Sequence, residues 1–120
     1  MIRTWPEIGR FYCDLLPTFP DDPFREAFAA ISGLASSIAD GPLASALCGW
    51  TSMHDLCVQQ VNVEPGSGSF LRISPKHDGS VEFRYHDTAI KARQWLRVVP
   101  AYGVMGRFEA FLDQLHWIAR

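Results

Sequence analysis

The sequence predicts an α+β domain: two N-terminal helices, an antiparallel β-meander of three to four strands, and a C-terminal helix packed on the sheet. Two observations carry this. Apolar residues recur at helical spacing near both ends of the chain, and between them a strand-rich stretch holds a hairpin around Asp78-Gly79 whose register can be argued. With 120 residues, 48% of them apolar or aromatic, the chain is expected to form a single domain spanning 1–120. A chain of this size buries about two thirds of its unfolded surface.

The first helix signal is Thr4-Trp5-Pro6-Glu7. Thr4 can cap the free amides, Glu7 can reach back, and proline is tolerated in the first turn. Ile8, Phe11, Tyr12, Leu15 and Leu16 then form an apolar stripe until Pro17 stops it. Asp22-Pro23 opens a second helix, in which Phe24, Phe28, Ile31, Ala35 and Ile38 step by four and three until Asp40-Gly41-Pro42. Pro42 to Cys48 reads as a short third helix or as the approach to a strand.

From Leu47 to Val63 strand formers dominate, but the apolar residues change parity, which predicts a bulge or a break. The Gly66-Ser67-Gly68 loop that follows lacks the spacing and the lysine of a phosphate-binding loop. In the hairpin Phe70 to His86, a two-residue Asp78-Gly79 loop would pair Ile73 with Arg84 and so mix core with polar positions. A three-residue loop, His77-Asp78-Gly79, pairs Pro75 with Val81, Ile73 with Phe83 and Leu71 with Tyr85. It also puts glycine where a left-handed residue is wanted, so both criteria select the same register. Ile90 to Val99 is expected to be a further strand with Leu96 and Val98 inward, a helix after Asp87-Thr88 being its competitor. Val104, Phe108, Phe111, Leu112, Leu115 and Ile118 mark the buried stripe of the last helix, and Trp117 and His116 stand at its edge.

Composition excludes several function classes. Eleven basic against thirteen acidic residues give a net charge of −2, which disfavours a nucleic-acid partner. No apolar run reaches the roughly 18 residues of a membrane span, and the start lacks the layout of a secretory signal. Three cysteines, an odd number with no C-x-x-C, point to reduced thiols and a cytoplasmic protein. Arginine outnumbers lysine nine to two, a bias that genome base composition explains as well as function does. Four tryptophans among fifteen aromatics are rich for this length, and large aromatics gather in cores, pockets and interfaces.

Three His-Asp dipeptides, at His54, His77 and His86, suggest metal-dependent phosphohydrolase chemistry, but each sits in a turn or beside a strand without further ligands. Cys48, His54 and Cys57 suggest zinc. Along a continuous strand Cys48 and His54 would lie about 20 Å apart, too far for one ion unless the segment folds back. Buried structural cysteine is the simpler account. No G-x-S-x-G elbow or Cys-His pairing is evident, so no catalytic residue, metal or cofactor is assigned.

The informative constellation is the outer face of the sheet. The chosen register sets Arg72 opposite Arg84, with Phe70, Glu82 and His86 on the same face, and like charges facing each other across strands are unfavourable. With Leu96 inward, Arg93, Trp95 and Arg97 join them. Glu82, diagonal to Arg72, is the expected neutralising acid. The candidate binding patch is therefore Arg72, Arg84, His86, Arg93, Trp95 and Arg97. Arginines interleaved with aromatics suit a protein surface or a bound anion. The expected function is a small, non-catalytic interaction module that self-associates or binds a protein partner. The alternative is a small-molecule or anion-binding protein, an enzyme being one form of it, using that Arg and aromatic patch on the sheet.

Overall fold

The computed structural model describes residues 2–61, 69–87, 90–115 and 117. Helix α1 (Trp5–Leu15) starts as its first four residues dictate. The Thr4 hydroxyl accepts from the Glu7 amide at 3.3 Å and the Glu7 carboxylate accepts from the Thr4 amide at 3.1 Å. Trp5, Ile8 and Tyr12 form the buried stripe. Helix α2 (Pro23–Asp40) is capped by Asp22, whose carboxylate accepts from the Arg25 amide, and buries Phe28, Ile31, Ala35 and Ile38 of the expected stripe. Gly41 and Pro42 end it. What could have been a third helix is a single 3₁₀ turn, Pro42–Ser45.

Among the described residues the sheet has five antiparallel strands in chain order rather than three to four: β1 (Leu47–Ser52), β2 (Asp55–Gln60), β3 (Phe70–Pro75), β4 (Ser80–His86) and β5 (Trp95–Pro100). The extra strand arises because the Leu47–Gln60 segment is a hairpin. Its change of parity is a tight turn at Met53-His54, not a bulge. The β3–β4 register is the one that parity selects, with Leu71 opposite Tyr85, Ile73 opposite Phe83 and Pro75 opposite Val81. Gly79 takes φ +90°, and the space a side chain there would need is closed by Pro23.

β5 departs from expectation twice. It begins only at Trp95, after a 3₁₀ turn over Lys91–Arg93, and its parity is reversed. Trp95 lies opposite Tyr85, Arg97 opposite Phe83 and Val99 opposite Val81, all on the core face, so Leu96 and Val98 point outward. The physical reason is α3 (Val104–Leu115): its Phe111 stacks on Trp95 with ring centroids 4.0 Å apart, and Tyr85 stacks on the same indole at 5.5 Å. Two aromatic stacks hold the indole inward, and the outward branched side chains remain at the margin of the sheet.

The three helices share one core with the inner face of the sheet. α1 packs on α2 and β1, α2 on β3 and β4, and α3 on β5 and α2. Val104, Phe108, Phe111 and Leu112 of α3 are buried, as is Trp117. Val63, the Gly66–Gly68 loop, Thr88, His116 and Ile118 lie outside the described residues. No helix among the described residues is long and apolar enough to cross a membrane.

Candidate functional site: the open face of the sheet

Because the three described helices lie on one side, the other side of the sheet is, among the described residues, formed by strand residues. Alternation along each strand sets Trp50 and Ser52 on that face from β1, Asp55 and Cys57 from β2, and Phe70, Arg72 and Ser74 from β3. β4 adds Glu82, Arg84 and His86, and β5 adds Leu96 and Val98.

Arg72 and Arg84 do face each other in register, and the structure shows how that is tolerated. Arg72 Nε donates to Asp55 Oδ2 at 2.6 Å and its Nη2 donates to Ser52 Oγ at 3.3 Å. Arg84 turns the other way, to Glu82 at 3.5 Å, and Glu82 also meets Lys76 at 3.5 Å. The acid that neutralises Arg72 is therefore Asp55 on β2, not the diagonal Glu82. Each guanidinium has its own carboxylate, so the face is close to neutral rather than a bare cationic patch.

An aromatic row runs beside the charges. Trp50 and Phe70 have centroids 5.5 Å apart, and Phe70 stacks almost parallel on His86 at 4.7 Å. Burial holds the His86 imidazole below its ordinary pKa, and the Arg84 and Arg72 charges push the same way. His86 Nε2 is buried without a hydrogen-bond partner among the described residues. Cys57, opposite Trp50, is fully buried even on this helix-free side, and burial pushes its thiol up to about 11. A cleft of about 390 Å³ opens between Asp55, Phe70, Arg72, Ser74, Glu82, Arg84 and His86. A larger cavity, about 510 Å³, lies apart from it at the start of α1, where Trp5, Pro6, Leu47 and Val61 contribute walls.

Three of the six expected patch residues, Arg72, Arg84 and His86, come together. The other three do not join them on this face. Trp95 is on the helix side, and Arg97 lies over its ring at 5.8 Å, donating from Nη1 to the Leu96 carbonyl at 2.9 Å. Arg93 is exposed in the 3₁₀ turn before β5. Trp50, Asp55, Leu96 and Val98 are the residues that sequence reasoning missed. Recognising the Met53-His54 turn would have found the first two, since it folds Trp50 and Asp55 onto the face of Arg72.

The same fold-back does not make a zinc site. Cys48 pairs with Gln59 at one end of the hairpin and His54 is in the turn at the other. Among the described residues no group of three or more His, Cys, Asp or Glu is placed to hold a metal ion. The chain matches no protein-family model, no curated protein and no solved structure at a significant level.

Proposed function

We propose that this chain is a small, non-catalytic protein-interaction module that associates with a second copy of itself. One observation carries the reading: large apolar side chains remain exposed in and just before β5, at Ile90, Leu96 and Val98, on a sheet margin that no helix among the described residues covers. Such a patch on a small domain, beside a largely buried aromatic row, is the ordinary signature of a protein contact. Neutralisation of Arg72 by Asp55 and of Arg84 by Glu82 supports a protein partner over a free anion. Three free thiols accord with a cytoplasmic setting. Sedimentation equilibrium from low to high micromolar concentration tests the proposal; a monomer throughout that range rejects it.

The second reading, a small-anion site, draws on the cleft between Arg72, Arg84 and His86 and on the half-exposed Arg84 guanidinium. It expects inorganic phosphate to raise the melting temperature of the wild type and not of Arg84→Ala. Equal behaviour of the two proteins removes it.

A further inference from the structure

The hydrogen-bonding groups on the open edge of β5 can be assigned one by one. Lys76 donates its amide to the Ser80 carbonyl, so Lys76 and Ser80 are a hydrogen-bonded pair of the β3–β4 ladder. Bonded and non-bonded pairs alternate in antiparallel ladders. Ser80, Glu82 and Arg84 therefore point their backbone groups toward β3, and Val81, Phe83 and Tyr85 point theirs toward β5. Their partners Val99, Arg97 and Trp95 bond back to β4. This leaves Leu96, Val98 and Pro100 with backbone groups aimed away from the sheet. Both prolines fit: Pro75 sits in a non-bonded pair with β4, and the face Pro100 turns to the open edge asks for no amide within the sheet. The opposite edge of the sheet is already engaged, since the Arg3 amide donates to the Gly49 carbonyl of β1 at 3.0 Å.

We infer that two copies of the chain join β5 to β5, antiparallel about a two-fold axis through Val98, into one continuous sheet. The inference rests on the self-association reading and names the surface that performs it. In this register Val98 faces the partner's Val98 and the two exchange amide-to-carbonyl bonds. Leu96 faces the partner's Pro100 and donates its amide to that carbonyl, and the symmetric copy repeats the bond. One acceptor is left over, the Leu96 carbonyl, because proline has no amide to offer it. That carbonyl is the one that Arg97 Nη1 already reaches at 2.9 Å. The edge is thus complementary to itself, with no orphaned group.

The competing registers are worse for physical reasons. An axis through Arg97 sets two guanidinium-bearing residues directly opposite each other in the close, non-bonded pair, where like charges repel. An axis through Val99 sets Val98 against proline and halves the hydrogen bonds. Around Val98, Arg97 meets the partner's Val99 instead. On the outer face Leu96 and Val98, 40% and 51% exposed in the single chain, meet Pro100 and Val98 of the other copy as a continuous apolar seam. Leu96 and Val98 are covered by this one contact, whereas Ile90 and Tyr102, the other large side chains exposed near β5, lie outside it.

Two measurements decide it. In the wild type, amide exchange of Leu96 and Val98 should slow as concentration rises, while Arg97 and Val99, bonded to β4, should not change. Val98→Pro removes a donor aimed away from β4 and so leaves the β4–β5 ladder intact; each dimer loses two bonds. The dimer dissociation constant should rise roughly tenfold or more. A wild-type dimer whose Leu96 and Val98 amides ignore concentration, and whose affinity Val98→Pro leaves unchanged, overturns the edge assignment while self-association stands. A wild type that stays monomeric overturns both. If Val98→Pro does not fold, the exchange measurement on the wild type is sufficient by itself: concentration-dependent slowing at Leu96 and Val98 upholds the edge, and its absence in a dimer overturns it.

Discussion

Gly49 is where the start of α1 comes down on the sheet. A methyl group on its Cα would stand 2.8 Å from the Trp5 ring and 3.1 Å from the Cys57 carbonyl, and the Trp5 indole is itself fixed by donating to the Leu47 carbonyl at 2.9 Å. The clash is with an anchored ring and with backbone, so it cannot be relieved cheaply. Gly49→Ala should cost about 2 kcal/mol, read from the denaturant midpoint at unchanged slope. His86 makes a second test at this scale. Its pKa in the folded protein is below the ordinary 6.5, so the unfolded chain binds the proton more readily. The stability it secures is present above 6.5 and is lost as pH falls through that value toward the lowered one. Its imidazole should titrate below 6.5 by NMR, and His86→Gln should flatten the decline of stability on mild acidification. The thiols should also separate: exposed Cys13 alkylates in the native state, whereas Cys57, buried and with its thiol near 11, reacts only on unfolding.

At the scale of elements, the two hairpins explain what can and cannot be read from residues alone. The β3–β4 turn carries its own instructions, since Asp78 accepts from the Ser80 amide at 2.9 Å and Gly79 supplies the positive φ. Register follows from those local rules plus core parity. The β1–β2 turn has no such signature. Met53 adopts φ +56° with its side chain 85% exposed, and the turn is held from outside. Tyr12 donates its hydroxyl to the His54 carbonyl at 3.1 Å, and the His54 ring packs against Phe19, Phe24 and Phe28. A turn imposed by a distant helix leaves no local trace, so this segment reads as one interrupted strand, and the partner of Arg72 is hidden with it. Met53→Gly should relieve the left-handed strain without loss of packing and stabilise the fold by about 0.5–1 kcal/mol in thermal or chemical denaturation. The parity of β5 is hidden in the same way, since Leu96 and Val98 are as apolar as any inward pair. What turns them outward is the Phe111 ring of α3, which meets Trp95 only in three dimensions.

For the molecule as a whole, Phe111 ties the last helix to the sheet. Its ring stacks on Trp95, meets Phe83 at 5.3 Å and lies under the Arg107 guanidinium at 4.1 Å. Phe111→Ala should cost about 3–5 kcal/mol, near the largest penalty a single truncation brings. Since the three helices and the sheet share one core, tryptophan fluorescence and far-UV circular dichroism should report coincident unfolding transitions in the wild type. The helices, their caps, the central hairpin and the class of fold are legible in the sequence because local signals and burial agree there. The composition of the outer face is legible only in its β3–β4 half, where register can be derived without knowing the helices.

The strands are paired in the order in which they occur along the chain. Each sheet contact therefore closes only a short loop, and the sheet can zip up hairpin by hairpin at small entropic cost. The helical layer is the reverse case, because α1 must find β1 some forty residues later, as the Trp5 to Leu47 bond shows. During synthesis α1 and α2 emerge before the sheet, and although Tyr12 and Phe28 can meet within that pair, the pair has no sheet to pack on until the central hairpin has left the ribosome. Truncations that end before β3 should thus bind chaperones or aggregate, whereas chains extended past β4 should begin to resist protease, a transition that length-stepped translation products can locate.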